Sequence, residues 1–250
     1  GELASGLFGL GRMRDINRIF IDIEAFFLNN APLFGKRVLI TAGPTYEKID
    51  PVRFIGNFSS GKMGCELAKE AASQGAFVDL VIGPSSQAIN HPSINRLDIQ
   101  TADEMLLICQ QKFKDVDIAI FSAAVSDFKA KSIHNQKIKK GPISIKTTLN
   151  PDIIKVLSID KTKQFTVGFA LETENEEKNA IKKLKEKNMD LIVLNSLNDE
   201  KACFSHDTNK IKIIDNNLHI KEYPLMTKKE AAITIFNEIL FQKSSLFSLK

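Results

Sequence analysis

The sequence predicts an α/β fold: a mostly parallel sheet with helices on both faces, plus a C-terminal β-hairpin. Three observations predict it. From Arg37 onward, apolar runs of strand length alternate with stretches of helical period. Those runs are almost wholly apolar, as in residues 118–124 with Ser122 the one polar residue, which marks strands buried on both faces. Near the end, Asp215-Asn216-Asn217 separates two short β-rich runs and reads as a hairpin turn.

Each element has its own signal. Residues 1–15 are glycine-rich and aperiodic, whereas 16–28 place apolar residues at 16, 19, 20, 23, 26 and 27, a helical pattern. Residues 29–34, with Pro32, read as a linker, so the main domain is expected over 35–250. Residues 37–42 are the first strand. Residues 61–74 form a helix stopped by Gly75, and 76–82 a strand ended by Gly83-Pro84. A short strand at 95–100 precedes Thr101, an N-cap for the helix 102–114. Strands follow at 117–124 and 165–170, then a charged helix at 174–188 and a strand at 190–194. Residues 210–214 and 218–221 make the hairpin, and Thr227 opens a last helix through Ile239. The alternation is Rossmann-like, and sheets of this kind bind ligands at the carboxyl ends of their strands.

Composition narrows the class. The chain of 250 residues is 43% hydrophobic and 26% charged, ordinary for a water-exposed globular fold. Its apolar runs are too short for a membrane helix, and no signal peptide is evident, so no membrane role is expected. Cys65, Cys109 and Cys203 form no CxxC pair, and His91, His134, His206 and His219 have no ligand spacing. A reducing cytoplasm and no metal cage are the expectation, with the metal ligands unassigned. A net charge of +4 does not by itself call for nucleic acid.

The chemistry concentrates first in Lys36–Gly64, KRVLITAGPTYEKIDPVRFIGNFSSGKMG, where a strand breaks into a polar loop and a glycine turn opens a helix. Backbone N–H groups at such turns face anions. Residues 56–63 approach the P-loop spacing G-x4-G-K-[ST], but Met63 offers no hydroxyl for Mg²⁺ and Asp50–Arg53 are loop-like. The dinucleotide fingerprint GxGxxG is absent, since Pro44-Thr45 follow Gly43. Arg53 can grip phosphate and Asn57 can serve a reacting carbonyl, yet each reads equally as a solvated loop residue. Phe121-Ser122-Ala123-Ala124-Val125-Ser126-Asp127 ends a strand in small residues before a carboxylate, a place for a flat ring or an Asx-turn. Lys129, Lys131, Lys137, Lys139, Lys140 and Lys146 make a basic stretch without aromatic interleaving, either a cationic flap or a solvated loop. Lys183 and Lys187 share a helix face at i, i+4, a pattern most common on a solvated face.

Taken together, ITAGPTYEKIDPVRFIGNFSSGKMG, SAAVSDF, QKIKK, NPDI, VGFALET and NMDLIVLN, in this order, resemble the phosphopantothenate–cysteine ligase family over residues 35–240. That family is the second activity of the bacterial bifunctional coenzyme A biosynthesis flavoprotein. Residues 1–15 resemble the end of its decarboxylase partner, with Ser5 where that pattern has Cys, so 1–34 is expected to be a remnant without decarboxylation. FMN would belong only to the missing decarboxylase part.

The resemblance implies ligation of 4'-phosphopantothenate and L-cysteine with CTP and Mg²⁺, through an acyl-cytidylate. Pyrophosphate and CMP are the expected by-products, and the enzyme is expected to be a cytoplasmic homodimer with no nucleic-acid partner. It also implies roles. Asn57 would hold and convert the acyl-cytidylate, with Arg53 beside it. Lys137 would be the flap lysine that meets the triphosphate. Phe121, Ser122, Ala123, Asp127, Pro151, Asp152, Ile153, Ile154 and Phe169 would bind the nucleotide, and Lys183 and Lys187 its phosphates. Gly56, Phe58 and Ser126 depart from the common pattern without touching a proposed catalytic atom. Two rivals stand beside this reading: an ATP- or NAD-dependent P-loop or Rossmann enzyme, and an RNA-binding module using the lysine run.

Overall fold

A computed structural model describes residues 6, 13–196 and 207–243; the expectations for Ser5, Cys203 and His206 lie outside the described residues. The chain opens with helix α1 (Ile16–Asn29), one residue longer than expected. Leu33 is fully buried in the main core, so that core reaches two residues before the expected boundary at Gly35.

From there the elements alternate. Strand β1 (Arg37–Ala42) leads to a small hairpin of β2 (Tyr46–Lys48) and β3 (Phe54–Gly56), then helix α2 (Lys62–Ser73). Strands β4 (Phe77–Ile82) and β5 (Ile94–Asp98) precede α3 (Ala102–Phe113) and β6 (Ile118–Phe121). A second small hairpin, β7 (Phe128–Ala130) with β8 (Thr147–Leu149), brackets the basic stretch and precedes α4 (Ile153–Ile159). Then come β9 (Phe165–Glu172), α5 (Glu176–Glu186), β10 (Leu191–Ser196) and β11 (Thr208–Asn209). Strands β12 (Ile211–Asp215), β13 (Ile220–Glu222) and β14 (Met226–Thr227) lead into α6 (Lys228–Lys243).

Eight strands form the main sheet in the order β13-β12-β10-β9-β6-β1-β4-β5. The six from β10 to β5 run parallel, while β12 and β13 add antiparallel, giving the expected C-terminal hairpin. Because side chains alternate along a strand, neighbouring residues of β1 serve opposite cores. Val38 and Ile40 pack with Leu67 and Ala68 of α2 and Phe236 of α6 on one face. Leu39 packs on the other face with Met105 and Phe113 of α3 and Leu157 of α4. Helix α5 covers that same side of β10 through Ala180 and Leu184 against Ile192 and Leu194. Each Val, Leu, Ile, Met or Phe side chain among these contributes about 1.5–3 kcal/mol by leaving water.

Two elements end elsewhere than the sequence reading has them. Strand β6 ends at Phe121 rather than Ala124, because its neighbour β1 turns away at Gly43, where φ is +73°. Only an isolated bridge, Pro44 to Ala124, continues the pairing. The last helix runs on to Lys243, past Ile239. Thr101 caps α3 as expected, with Glu104 completing a capping box. Among the described residues no helix is long and apolar enough to cross a membrane.

Candidate active site

The carboxyl ends of β1, β6, β9 and β10 open into a cleft of about 890 Å³. Its floor depends on glycine. Gly64, in the first turn of α2, lies so close to β1 that a Cβ there would sit 2.4 Å from Ala42 Cβ and 2.8 Å from Ser122 Oγ. Ser122 in turn donates to the Thr41 carbonyl at 2.7 Å. The helix therefore begins directly on the sheet, with Gly61 at its N-cap in the left-handed region and no side-chain cap. Its N-cap and first turn, residues 61–64, line the cleft, and helix N-termini are places that receive anions.

The loop from β3 to α2 forms one wall. The Asn57 amide, exposed and in the cleft, donates to the Val125 carbonyl at 2.8 Å, joining this wall to the small-residue loop after β6. That loop, 121–127, lines the cleft and is itself braced. Ser126 N donates to Thr45 Oγ1, and Asn150 Nδ2 donates to the Ser126 carbonyl. Asp127 is exposed, and its own carbonyl accepts from Asn150 N at 2.8 Å.

The opposite wall is α4 and α5. Asp152 is the N-cap of α4, accepting from Lys155 N through Oδ1. Its Oδ2 pairs with Lys187 Nζ at 2.9 Å, and Lys183 Nζ pairs with Glu172 Oε1 at 2.6 Å. Both lysines are half-buried and both line the cleft. An incoming polyanion would take over ammonium groups already held in place by carboxylates.

Of the residues singled out in the sequence, Asn57, Phe121, Ser122, Ala123, Asp127, Pro151, Asp152, Ile153, Ile154, Phe169, Lys183 and Lys187 converge on this one cleft. Arg53 and Lys137 are not among its lining residues. The Arg53 guanidinium donates to Asp50 Oδ2 at 2.8 Å and to the Ile138 carbonyl at 3.2 Å. Buried Asp50 also accepts from the N–H groups of Val52, Arg53 and Ile138. Burial alone would raise the Asp50 pKa, but these donors and the Arg53 charge bring its carboxyl down to about 2. Asp50 and Arg53 thus clasp the base of the basic stretch 131–146, beside exposed Lys137.

The sequence did not single out Lys62, Asn195, Asn209 or Lys228 as ligand-binding residues, all of which line the cleft. Lys62 was visible within the glycine turn. The others carry no local motif. Among the described residues no group of three or more His, Cys, Asp or Glu is placed to hold a metal.

Comparison with known proteins bears on the family and the fold. Residues 33–242 match the family model for the DNA/pantothenate metabolism flavoprotein C-terminal domain. A coenzyme A biosynthesis bifunctional protein CoaBC from Bacillus subtilis (strain 168) is 41% identical over 243 residues, covering 96% of this chain and 60% of that protein. A cysteine/cysteine sulfinic acid decarboxylase from an unknown prokaryotic organism is 47% identical over 247 residues, 96% of this chain and 69% of its own length. The crystal structure of the C-terminal domain of a CoaBC protein superposes with a TM-score of 0.74 at 39% identity, covering 86% of this chain and all of that one. The chain spans about three fifths of the bifunctional B. subtilis relative.

Proposed function

The chain belongs to the DNA/pantothenate metabolism flavoprotein C-terminal domain family, and from that premise we propose that it joins 4'-phosphopantothenate to L-cysteine at the expense of CTP. The observation that carries this reading is the convergence of Asn57, the small-residue loop 121–127 and the Lys183/Lys187 wall on one cleft. A ligation of this kind needs a carboxylate to approach a triphosphate against like-charge repulsion, so fixed donors and cations must meet the developing charge. Each such donor is worth roughly 3–4 kcal/mol.

In this reading the nucleotide lies along 121–127, where small side chains admit a flat ring and the Asp127 carboxylate accepts from hydroxyl or amino groups. Pro151 to Ile154 and Phe169 enclose it. Lys183 and Lys187 exchange Glu172 and Asp152 for phosphate oxygens. The substrate carboxylate attacks the α-phosphorus, pyrophosphate leaves, and an acyl-cytidylate forms. The Asn57 amide, at the join of the two walls, orients the acyl carbonyl. The cysteine amine then attacks that carbonyl and CMP departs. Lys137 enters from the flap, whose base Arg53 and Asp50 hold, so Arg53 acts as a positioning residue. Mg²⁺ fits as a companion of the triphosphate, since such ions are commonly held by substrate phosphates and one or two carboxylates. Asp127 and Asp152 are the cleft carboxylates that would face it, and it would neutralise phosphate charge. FMN has no part in this chemistry. We place the enzyme in the cytoplasm.

A homodimer is part of the proposal. The hairpins β2–β3 and β7–β8 expose Phe54, Phe128 and Leu149, an apolar surface suited to a second copy. The division into a remnant over 1–34 and a ligase domain over 35–250 completes the reading.

The test is incubation with 4'-phosphopantothenate, L-cysteine, Mg²⁺ and either CTP or ATP. CMP produced in step with cysteine consumption is expected. Carbon dioxide released from cysteine without CMP would instead favour the activity named for the 47%-identical relative.

A further inference from the structure

The loop 121–127 is bonded along most of its length and open at one group. Ser122 N donates to the Thr41 carbonyl at 3.2 Å, Ala123 N to Thr41 Oγ1 at 3.4 Å and Ala124 N to the Gly43 carbonyl at 2.9 Å, so β1 guides its first half. The second half is gripped at Ser126, which is 2% exposed. Its N–H donates to Thr45 Oγ1 at 3.0 Å, its carbonyl accepts from Asn150 Nδ2 at 2.8 Å, and its hydroxyl donates to the Phe128 carbonyl at 2.8 Å. Asn150 N adds a bond to the Asp127 carbonyl at 2.8 Å. By contrast, the exposed Asp127 carboxylate takes part in no hydrogen bond or ion pair among the described residues, and it lines the cleft.

Two side chains from distant parts of the chain thus meet at one residue. Thr45 is fully buried, just past the point where β1 turns away at Gly43. Asn150 stands between the end of β8 and the cleft-lining run 151–154. A hydroxyl on one side of Ser126 and an amide on the other fix both its N–H and its carbonyl, and with them the peptide that leads into Asp127. An exposed carboxylate chooses among several rotamers, so the backbone beneath it decides which points in space it can reach. Asn150 also carries a cost: its Oδ1 is buried with no hydrogen-bond partner among the described residues. A residue that the fold alone would not call for is a mark of a functional position.

We infer that Thr45 and Asn150 are positioning residues, which clamp Ser126 from two sides and so aim the Asp127 carboxylate at the bound nucleotide. The inference rests on the ligase reading above for the identity of that nucleotide, CTP, and deepens it: Asp127 touches the ligand, and Thr45 and Asn150 act through Asp127. The Ser126 hydroxyl, bonded to the first residue of β7, ties the same clamp to the hairpin that carries the basic stretch. Loss of either bond frees the peptide before Asp127, and a displacement of about 1 Å can cost on the order of a hundredfold.

The experiment measures calorimetric binding of CTP, and separately the ligation kinetics, for Thr45→Val, Thr45→Ser, Asn150→Asp and Asp127→Asn. Thr45→Val removes the acceptor for Ser126 N, and Asn150→Asp sets an acceptor against the Ser126 carbonyl. The two break the clamp from opposite sides, so one variant that melts as a folded protein suffices. In each, the Kd for CTP is expected to rise about tenfold or more. The KM values for phosphopantothenate and cysteine should stay within about twofold, and Thr45→Ser, which keeps the hydroxyl, should bind CTP as the wild type does. Coupling is the decisive readout. Asp127→Asn should weaken CTP binding about tenfold in the wild type, but less than about twofold on top of Thr45→Val or Asn150→Asp, because a misplaced carboxylate has little left to lose. Full additivity would make Thr45 and Asn150 supports of the fold alone and overturn the proposal, as would an equal rise in all three KM values. Wild-type ligation with unchanged CTP binding in the folded variants would remove the clamp and leave the ligase reading standing. If the wild type forms no CMP yet binds CTP, and the clamp variants bind it weakly, the clamp stands and the ligase reading falls. A wild type that binds no CTP overturns both.

Discussion

Gly64→Ala tests whether the approach of α2 to the sheet sets up the site. A methyl group at Gly64 would lie 2.4 Å from Ala42 Cβ and 3.1 Å from Ala42 Cα. Carbon atoms rest at about 3.5–4.0 Å, so roughly 1 Å must be found. Ala42 cannot supply it: it is fully buried in β1, paired to β4, and has no rotamer to change. The helix start must retreat, at about 2–3 kcal/mol of overpacking. For a domain of this size that is a fall in Tm of roughly 5–10 °C. The same retreat moves Lys62 and the Asn57 loop by about 1 Å, which can cost on the order of a hundredfold in kcat/KM. Gly168→Ala is the control. There the Cβ would strike Met189 Sδ at 2.3 Å, but a thioether chain can swing aside. Thermal melting and ligation kinetics measure both variants. A Gly64→Ala protein that melts with the wild type, or loses no more than Gly168→Ala, would refute the reasoning.

Other consequences are equally open to measurement. Asn57→Asp should slow turnover of the acyl-cytidylate about a hundredfold while pyrophosphate still appears, whereas Lys137→Gln should suppress pyrophosphate release itself; rapid-quench assays of the two half-reactions separate them. Lys243 is buried, and burial pulls its ammonium down to about 8, with Asp117 opposing. The unfolded chain therefore holds more protons than the folded one between that pH and 10.5, so stability from this group rises with pH across the window. The total is about 3 kcal/mol. Denaturant titrations at both ends should show the stability of Lys243→Met, relative to wild type, falling by up to that amount as pH rises; a constant difference would refute it. Burial raises the thiols of Cys65 to about 11 and Cys109 to about 12. Iodoacetamide should label both only after denaturation, as peptide mapping would show.

Long buried strands were legible in the sequence because their apolar runs leave no other reading: Val38–Ala42, Val78–Ile82 and Val167 all enter the core as expected. Thr101 was legible too, since a cap acts within one turn of its helix. The β2–β3 hairpin was not, because its register is set by the Asp50 carboxylate gathering main-chain N–H groups rather than by apolar alternation. Lys183 and Lys187 were visible as an i, i+4 stripe, but their partners Glu172 and Asp152 come from other elements. Lys62, Asn195, Asn209 and Lys228 meet only through the packing of α2 and α6 on the sheet, and no local spacing announces that. The clasp of Arg53 on Ile138 likewise joins residues far apart in the chain.

The margins of the main sheet bear on how this protein behaves when crowded. One margin is β5, five residues including Arg96 and Asp98, whose side chains pair with each other. The other is β13, three exposed residues including Lys221 and Glu222. Short, charged margins resist the strand-by-strand stacking that seeds aggregation. Copies of the chain are thus discouraged from joining edge to edge. The proposed dimer would instead use the two small hairpins, where Phe54, Phe128 and Leu149 are exposed.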